Sequence, residues 1–280
     1  MFDRIKRSFD LVRASARILR EDKRLLLFPA ISAVAWLVVV AGFALPVFGL
    51  SAFDGLGAGG WYSAAFLFYV LQYFVIFYFN TALVGAVMIR LDGGTPTLAD
   101  GLRIANRRLG AILGYAVISA TVGVILRAIQ ERLGFVGRLV VGLVGASWAV
   151  ATFLVVPVIV TRDRGPVDSI GESTALLKRT WGENIAGQAG LGAAFGLVYF
   201  GLAGGSVLLA MLVLFAASTV SPLLWVLFAA IVVLMLLACV LFQATLTGIY
   251  SAVLYRYAAD GSGSAGFDQA MLASSFQPKA

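Results

Sequence analysis

Six uninterrupted apolar runs, at about 25–50, 61–89, 109–126, 139–160, 185–216 and 222–253, constrain this chain more than any other feature. None carries Asp, Glu, Lys or Arg at its middle. Each reaches the roughly 17–25 residues that a helix needs to cross a bilayer. Hydrocarbon offers no partner to a backbone N–H or C=O, so a spanning segment is a helix or part of a closed barrel, and barrel strands alternate. These runs do not alternate. The second, fifth and sixth are longer than a span requires and must tilt or extend beyond the membrane. Composition agrees: 61% apolar and 12% charged residues, against about 45–50% and about 25% in a soluble domain, leave too little polar surface for a soluble globule. The expected fold is all-α, a polytopic membrane bundle of six transmembrane helices. Residues 1–24 form a basic helix, 25–257 the membrane domain, and 258–280 a tail rich in Gly, Ser and Ala.

The same counts exclude much chemistry. With no histidine in the chain, a Ser-His-Asp or Cys-His centre, haem ligation by His and a His-based zinc site are ruled out. The single cysteine, Cys239, sits in an apolar run and reads as a small buried hydrophobe. All fourteen carboxylates fall outside the middles of the runs, where a proton- or ion-coupled carrier keeps an ionisable group. No enzymatic activity, metal or cofactor is expected. The net charge of +7 does not point to nucleic acid either, because the basic residues flank the apolar runs instead of gathering on a soluble domain.

Their distribution orients the chain. Eighteen Lys and Arg fall in the leader, in the connections after the second and fourth runs, and in the tail; only Arg127, Arg132 and Arg138 fall on the other side. The positive-inside rule then places both termini in the cytoplasm. The leader is long for a signal peptide's charged region and precedes a full span, so no cleavable signal is expected. Its residues Phe2, Ile5, Phe9, Val12, Ala16 and Leu19 share one helical face, with Lys6, Arg13, Arg17 and Arg20 beside them. A second seam of Leu11, Ala14 and Ile18 faces the bundle. This is a helix for the cytoplasmic interface, its cations towards anionic head groups. Similar 4-3-4 steps recur at Leu98, Leu102, Ala105 and Leu109, after a Thr95 cap and Pro96, and at Ile170, Thr174, Leu177 and Trp181, after a Ser169–Glu172 capping box. They bring Arg107, Arg108, Lys178 and Arg179 to the same interface. The pattern reads as three copies of one unit, a basic amphipathic helix followed by two membrane helices.

Inside the runs, Gln72, Asn80, Thr81, Gln188 and Gln243 are candidates to line a path for a neutral or lipid-like solute. Hydrogen bonding between helices is the plainer role for such residues. Gly110-x-x-x-Gly114, Gly142-x-x-x-Ala146 and Gly192-x-x-x-Gly196 are small-residue pairs that let helix backbones approach. Pro157 removes a backbone donor and should bend the fourth span.

The stretch Arg20-Glu21-Asp22-Lys23-Arg24-Leu25-Leu26-Leu27-Phe28-Pro29 resembles the opening of an uncharacterised family of prokaryotic integral membrane proteins. Val155-Val156-Pro157-Val158-Ile159-Val160, Gly165-Pro166, Ser169-Ile170, Ser173 and Leu176 to Trp181 are similar as well. They also resemble the wider six-helix group that includes the membrane domain attached to some glycerophosphodiester phosphodiesterases. The resemblance implies six helices in a prokaryotic cytoplasmic membrane and no catalytic residue, since diesterase chemistry belongs to a separate soluble domain. The expected function is a non-enzymatic accessory or scaffold whose partners are membrane lipids, chiefly anionic head groups. The alternative is a transporter or exporter of a neutral or lipid-like solute. A membrane-protein partner or a homo-oligomer is left open. Reporter fusions after Gly57 and Thr219 are expected outside, and those after Gly93, Gly165 and Ala265 inside; a reversal at any one breaks the six-span arrangement.

Overall fold

The computed structural model describes residues 15–49, 57–179, 181–216 and 222–260. Lys6, Arg13 and most of the expected tail lie outside the described residues. Helix α1 is described over residues 15–21, and a 3-10 turn, Lys23–Leu26, leads into α2, Leu27–Ala44. Then follow α3 (Ala58–Leu91), α4 (Leu98–Arg107), α5 (Leu109–Arg132), α6 (Phe135–Ala151), α7 (Val155–Thr161), α8 (Pro166–Arg179), α9 (Trp181–Ala216) and α10 (Pro222–Asp260). No strand occurs among the described residues. Five helical segments are long and apolar enough to cross a membrane: Lys23–Val47, Gly59–Leu91, Leu109–Arg132, Val136–Thr161 and Leu223–Arg256. The fifth expected span, 185–216, falls within α9, whose described apolar stretch is the shorter Phe195–Met211. The chain is an all-helical, multi-pass membrane protein.

Helix α3 is the hub, in contact with α2, α4, α5, α7 and α10. Buried side chains concentrate at the end of the bundle where the basic residues gather. There Leu83, Val84 and Val87 of α3 meet Val155, Val158 and Ile159 of α7 and Leu246, Ile249 and Leu254 of α10. Phe28 enters this core from α2, and Ile18 and Leu19 enter it from α1. Away from this end, Val38 of α2, Leu143 of α6 and Val233 of α10 are more than half exposed, a surface suited to hydrocarbon.

Local chemistry sets the corners. After α3, Gly93 takes φ +84°, its N–H donates to Arg90 O and that of Gly94 to Ile89 O, each at 3.0 Å. This is a Schellman stop, and it needs glycine at the left-handed position. Helix α4 is capped by Thr97, not by the expected Thr95. The Thr97 hydroxyl accepts from the Asp100 amide, and the Asp100 carboxylate accepts from the Thr97 amide. Thr97 wins because an acidic side chain stands three residues on, whereas Thr95 has Leu98 there. Hydrogen bonds from Thr97 hold the Asp100 carboxyl below its ordinary pKa. A lowered folded pKa contributes stability above the ordinary value and loses it as pH falls through the lowered one. Helix α8 begins at Pro166, a turn earlier than expected, so Ser169 is inside the helix and its hydroxyl donates to Gly165 O at 2.9 Å. Helix α5 runs to Arg132, beyond the expected exit at Leu126, and the extension carries an Arg127–Glu131 pair at 3.1 Å.

The fourth span is broken between Ala151 and Val155, and Pro157 stands in the first turn of α7. Proline crowds the carbonyl four residues back, here Phe153 inside the break. Backbone groups freed there are met by the buried Ser173 of α8: its Oγ donates to Ala151 O at 2.7 Å and accepts from Leu154 N–H at 3.2 Å. Helix α4 makes the corresponding approach to α3 through Gly101, where an added Cβ would lie 2.6 Å from both Ala82 O and the Phe28 ring. A backbone oxygen cannot step aside. Gly101→Ala is therefore expected to cost about 1–3 kcal/mol in reversible unfolding in bicelles, while Gly110→Ala, whose added Cβ meets nothing within 4 Å, costs nothing measurable.

Candidate functional site

A cavity of about 430 Å³ lies among α2, α3, α5, α10 and the α6–α7 break. Its polar lining is Ser32, Asn80, Tyr115, Thr152, Gln243, Thr247 and Ser251, and its walls include Phe77, Phe79, Leu83, Phe153 and Val156. No charged side chain lines it among the described residues. Asn80 stands eleven residues before Leu91, about 16 Å along the helix at 1.5 Å per residue. Below it, towards the basic end, the packed core of α3, α7 and α10 closes the cavity.

Several of the polar groups are already committed. The Thr152 hydroxyl donates to Trp148 O and the Ser251 hydroxyl to Gly248 O. Tyr199 OH, from α9, donates to Gln243 Oε1 at 2.7 Å, which leaves the Gln243 amide hydrogens for another partner. Helix α10 is pressed against α3 at Gly248, where an added Cβ would lie 3.5 Å from Asn80 Oδ1 and 2.6 Å from Leu83 Cδ2. On the α5 side, the Phe77 and Tyr115 rings stack with centroids 4.3 Å apart. The lining can exchange hydrogen bonds and stack on a flat group; among the described side chains it holds no acid or base that ionises near neutral pH.

Of the residues read from the sequence as a solute or lipid path, the fold brings Asn80 and Gln243 to this one cavity. Thr81 is fully buried and outside the lining. Gln72 lies two helical turns before Asn80, also outside it. Gln188 falls within α9 and Arg179 at the end of α8, with their side chains outside the described residues. Tyr199 and Ser32 were not singled out in the sequence. A phenol within an apolar run was the available signal for Tyr199.

The second feature is a basic rim at the closed end. Arg17 and Arg20 of α1, Arg107 of α4 and Lys178 of α8 are exposed and carry no ion pair among the described residues. Other charges fasten the rim. Arg90 pairs with Glu21 at 3.3 Å, Arg256 with Asp92, and Arg108 with Asp163. Glu172, its side chain 15% exposed, takes Arg162 at 3.5 Å and Arg164 at 3.3 Å. Exposed pairs each contribute about 0–1 kcal/mol, so they set geometry more than stability. Of the small-residue pairs, Gly114 is in contact with α8: a Cβ there would meet Pro166 Cγ at 2.7 Å. A Cβ on Gly110, Gly142, Gly192 or Gly196 meets nothing within 4 Å, and Ala146 faces a groove between α6 and α8.

Over residues 60–267, from the start of α3 to beyond α10, the sequence matches the family described as Family of unknown function (DUF6159). No curated protein and no solved structure matches the chain. The match covers well over half of the 280 residues and takes in most of the cavity lining and the α4 and α8 parts of the rim, so the chain belongs to the DUF6159 family.

Proposed function

We propose that this protein is a non-enzymatic accessory or scaffold of a prokaryotic cytoplasmic membrane that gathers anionic lipids, and through them partner proteins, on its basic rim. It crosses six times with both termini in the cytoplasm. The observation that carries this reading is the double-sidedness of α1, α4 and α8. Each buries a small residue against the bundle (Ser15, Gly101 and Ser173) with an apolar one four positions on (Leu19, Ala105 and Leu177). Each also exposes cations on the outer side: Arg17 and Arg20, Arg107, and Lys178. Each stands directly before a long apolar helix. This common register supports three copies of a basic helix followed by two membrane helices.

Anionic lipid contributes about 1 kcal/mol for each Lys or Arg near its surface, so four free cations supply a few kcal/mol of preference. Passage of a neutral or lipid-like solute is the second reading. The cavity supports it, whereas the packed core between cavity and rim would have to open for it. In nanodiscs of mixed phosphatidylglycerol and phosphatidylcholine, native mass spectrometry is expected to find the retained lipid enriched several-fold in phosphatidylglycerol. The enrichment should fall as salt rises, because screening shortens the reach of surface charge to about 8–10 Å. The combined change Arg17→Gln, Arg20→Gln, Arg107→Gln and Lys178→Gln should remove most of it. Equal enrichment in the wild type and this variant would contradict the proposal.

A further inference from the structure

We infer that the central cavity is a binding site for an uncharged, carbonyl-bearing lipid that enters from the bilayer. The inference stands apart from the lipid-gathering rim, which lies at the other side of the packed core. Three observations carry it. The first is the hydrogen-bond inventory: the Gln243 oxygen already accepts from Tyr199 OH, and the Thr152 and Ser251 hydroxyls are spent on helix carbonyls. The amide hydrogens of Asn80 and Gln243 and the hydroxyls of Ser32 and Thr247 have no partner among the described residues. The site therefore offers free donors, on half-buried residues that face the cavity, to an acceptor on a ligand. A carbonyl oxygen accepts such hydrogen bonds without carrying a charge.

The second observation is the lack of a charged group in the lining among the described residues, which leaves a carboxylate or phosphate there without a counter-charge. The third is access. Ile76 of α3 and Val240 of α10 line the cavity and are 44% and 50% exposed. The mouth thus opens sideways between α3 and α10, while the basic end is closed by packed side chains. A ligand arriving by that route comes out of hydrocarbon. A volume of about 430 Å³ falls in the range of about 300–1,000 Å³ usual for small-molecule sites, and it admits a ring or an ester group with the first part of its chain. Two lipids share this chemistry, an isoprenoid quinone ring and the ester region of a neutral acylglycerol. The stacked Phe77 and Tyr115 rings form a wall on which either can lie.

The test uses the full chain in nanodiscs of phosphatidylcholine, with binding read by native mass spectrometry and by the ligand-induced rise in melting temperature. The probes are 2,3-dimethoxy-5-methyl-6-decyl-1,4-benzoquinone and dioleoylglycerol, against hexadecane and oleate at pH 8. At least one carbonyl probe is expected to bind saturably, and which of them binds identifies the source. Hexadecane and oleate are expected to bind at least tenfold more weakly. The combined change Asn80→Leu with Gln243→Leu should weaken binding at least tenfold. Ala244→Trp, at an exposed lining position, should do the same by filling the mouth while leaving the packed core untouched. The inference is overturned if neither carbonyl probe binds, if oleate or hexadecane binds as tightly, or if a folded Ala244→Trp protein binds as the wild type does. Retention of phosphatidylglycerol on the rim is indifferent to all these outcomes, so this inference and the scaffold reading fail separately.

Discussion

A helix interrupted inside an apolar bundle leaves backbone donors and acceptors that no lipid can satisfy, and here a single hydroxyl satisfies two of them. Ser173 of α8 donates to Ala151 O and accepts from Leu154 N–H, bridging the gap between α6 and α7. The rest of the basic end depends on this contact. It lets the short α7 turn inward, so that Val155, Val158 and Ile159 fill the space between α3 and α10. It also commits α8 to the bundle, which in turn fixes where Glu172 meets Arg162 and Arg164 and where Lys178 is presented. Helix α4 is held by a different device with the same consequence: Gly101 lets its backbone lie against Ala82 O and the Phe28 ring, and Arg107 is left facing outward.

The molecule thus divides along its length. At the basic end, packing is dense and owes its strength to close van der Waals contact and satisfied backbone, since lipid supplies no hydrophobic drive between helices. Towards the other end the helices carry large exposed apolar side chains. The cavity sits beside the packed core, lined by α3, α10 and the α6–α7 break. Its polar lining follows from that position. Asn80 and Gln243 are half-buried beside the packed core and line the cavity.

Much of this was legible in the residues. Charge-free apolar runs of sufficient length dictate helices, and those of α2, α3 and α10 carry over nearly unchanged, while α5 extends past the expected Leu126 to Arg132. Asn80 and Gln243 stood out because an amide inside an apolar run demands a partner, whatever that partner is. Two kinds of information were not legible. Helix starts depend on reciprocal geometry: Thr97 rather than Thr95 caps α4 because Asp100 answers it, and Ser169 lies inside α8 because Pro166 opens that helix. Depth was hidden as well. The spacing of Leu98, Leu102 and Ala105 describes a helix lying flat on a surface equally well, and only Gly101 and Ser173, read against their distant partners, show that α4 and α8 are wedged into the bundle.

The claim that one side chain supports the closed end is most directly tested by equilibrium unfolding of Ser173→Ala in lipid bicelles. Removing the hydroxyl leaves Ala151 O and Leu154 N–H buried without a partner, each at about 1–3 kcal/mol. The account predicts a loss of at least about 2 kcal/mol. Ser147→Ala is the matched control, because that hydroxyl only returns to Leu143 O of its own helix, and it should stay within about 0.5 kcal/mol of the wild type. If Ser173→Ala unfolds with the same free energy as Ser147→Ala, the break does not depend on α8, and the account of the basic end is wrong.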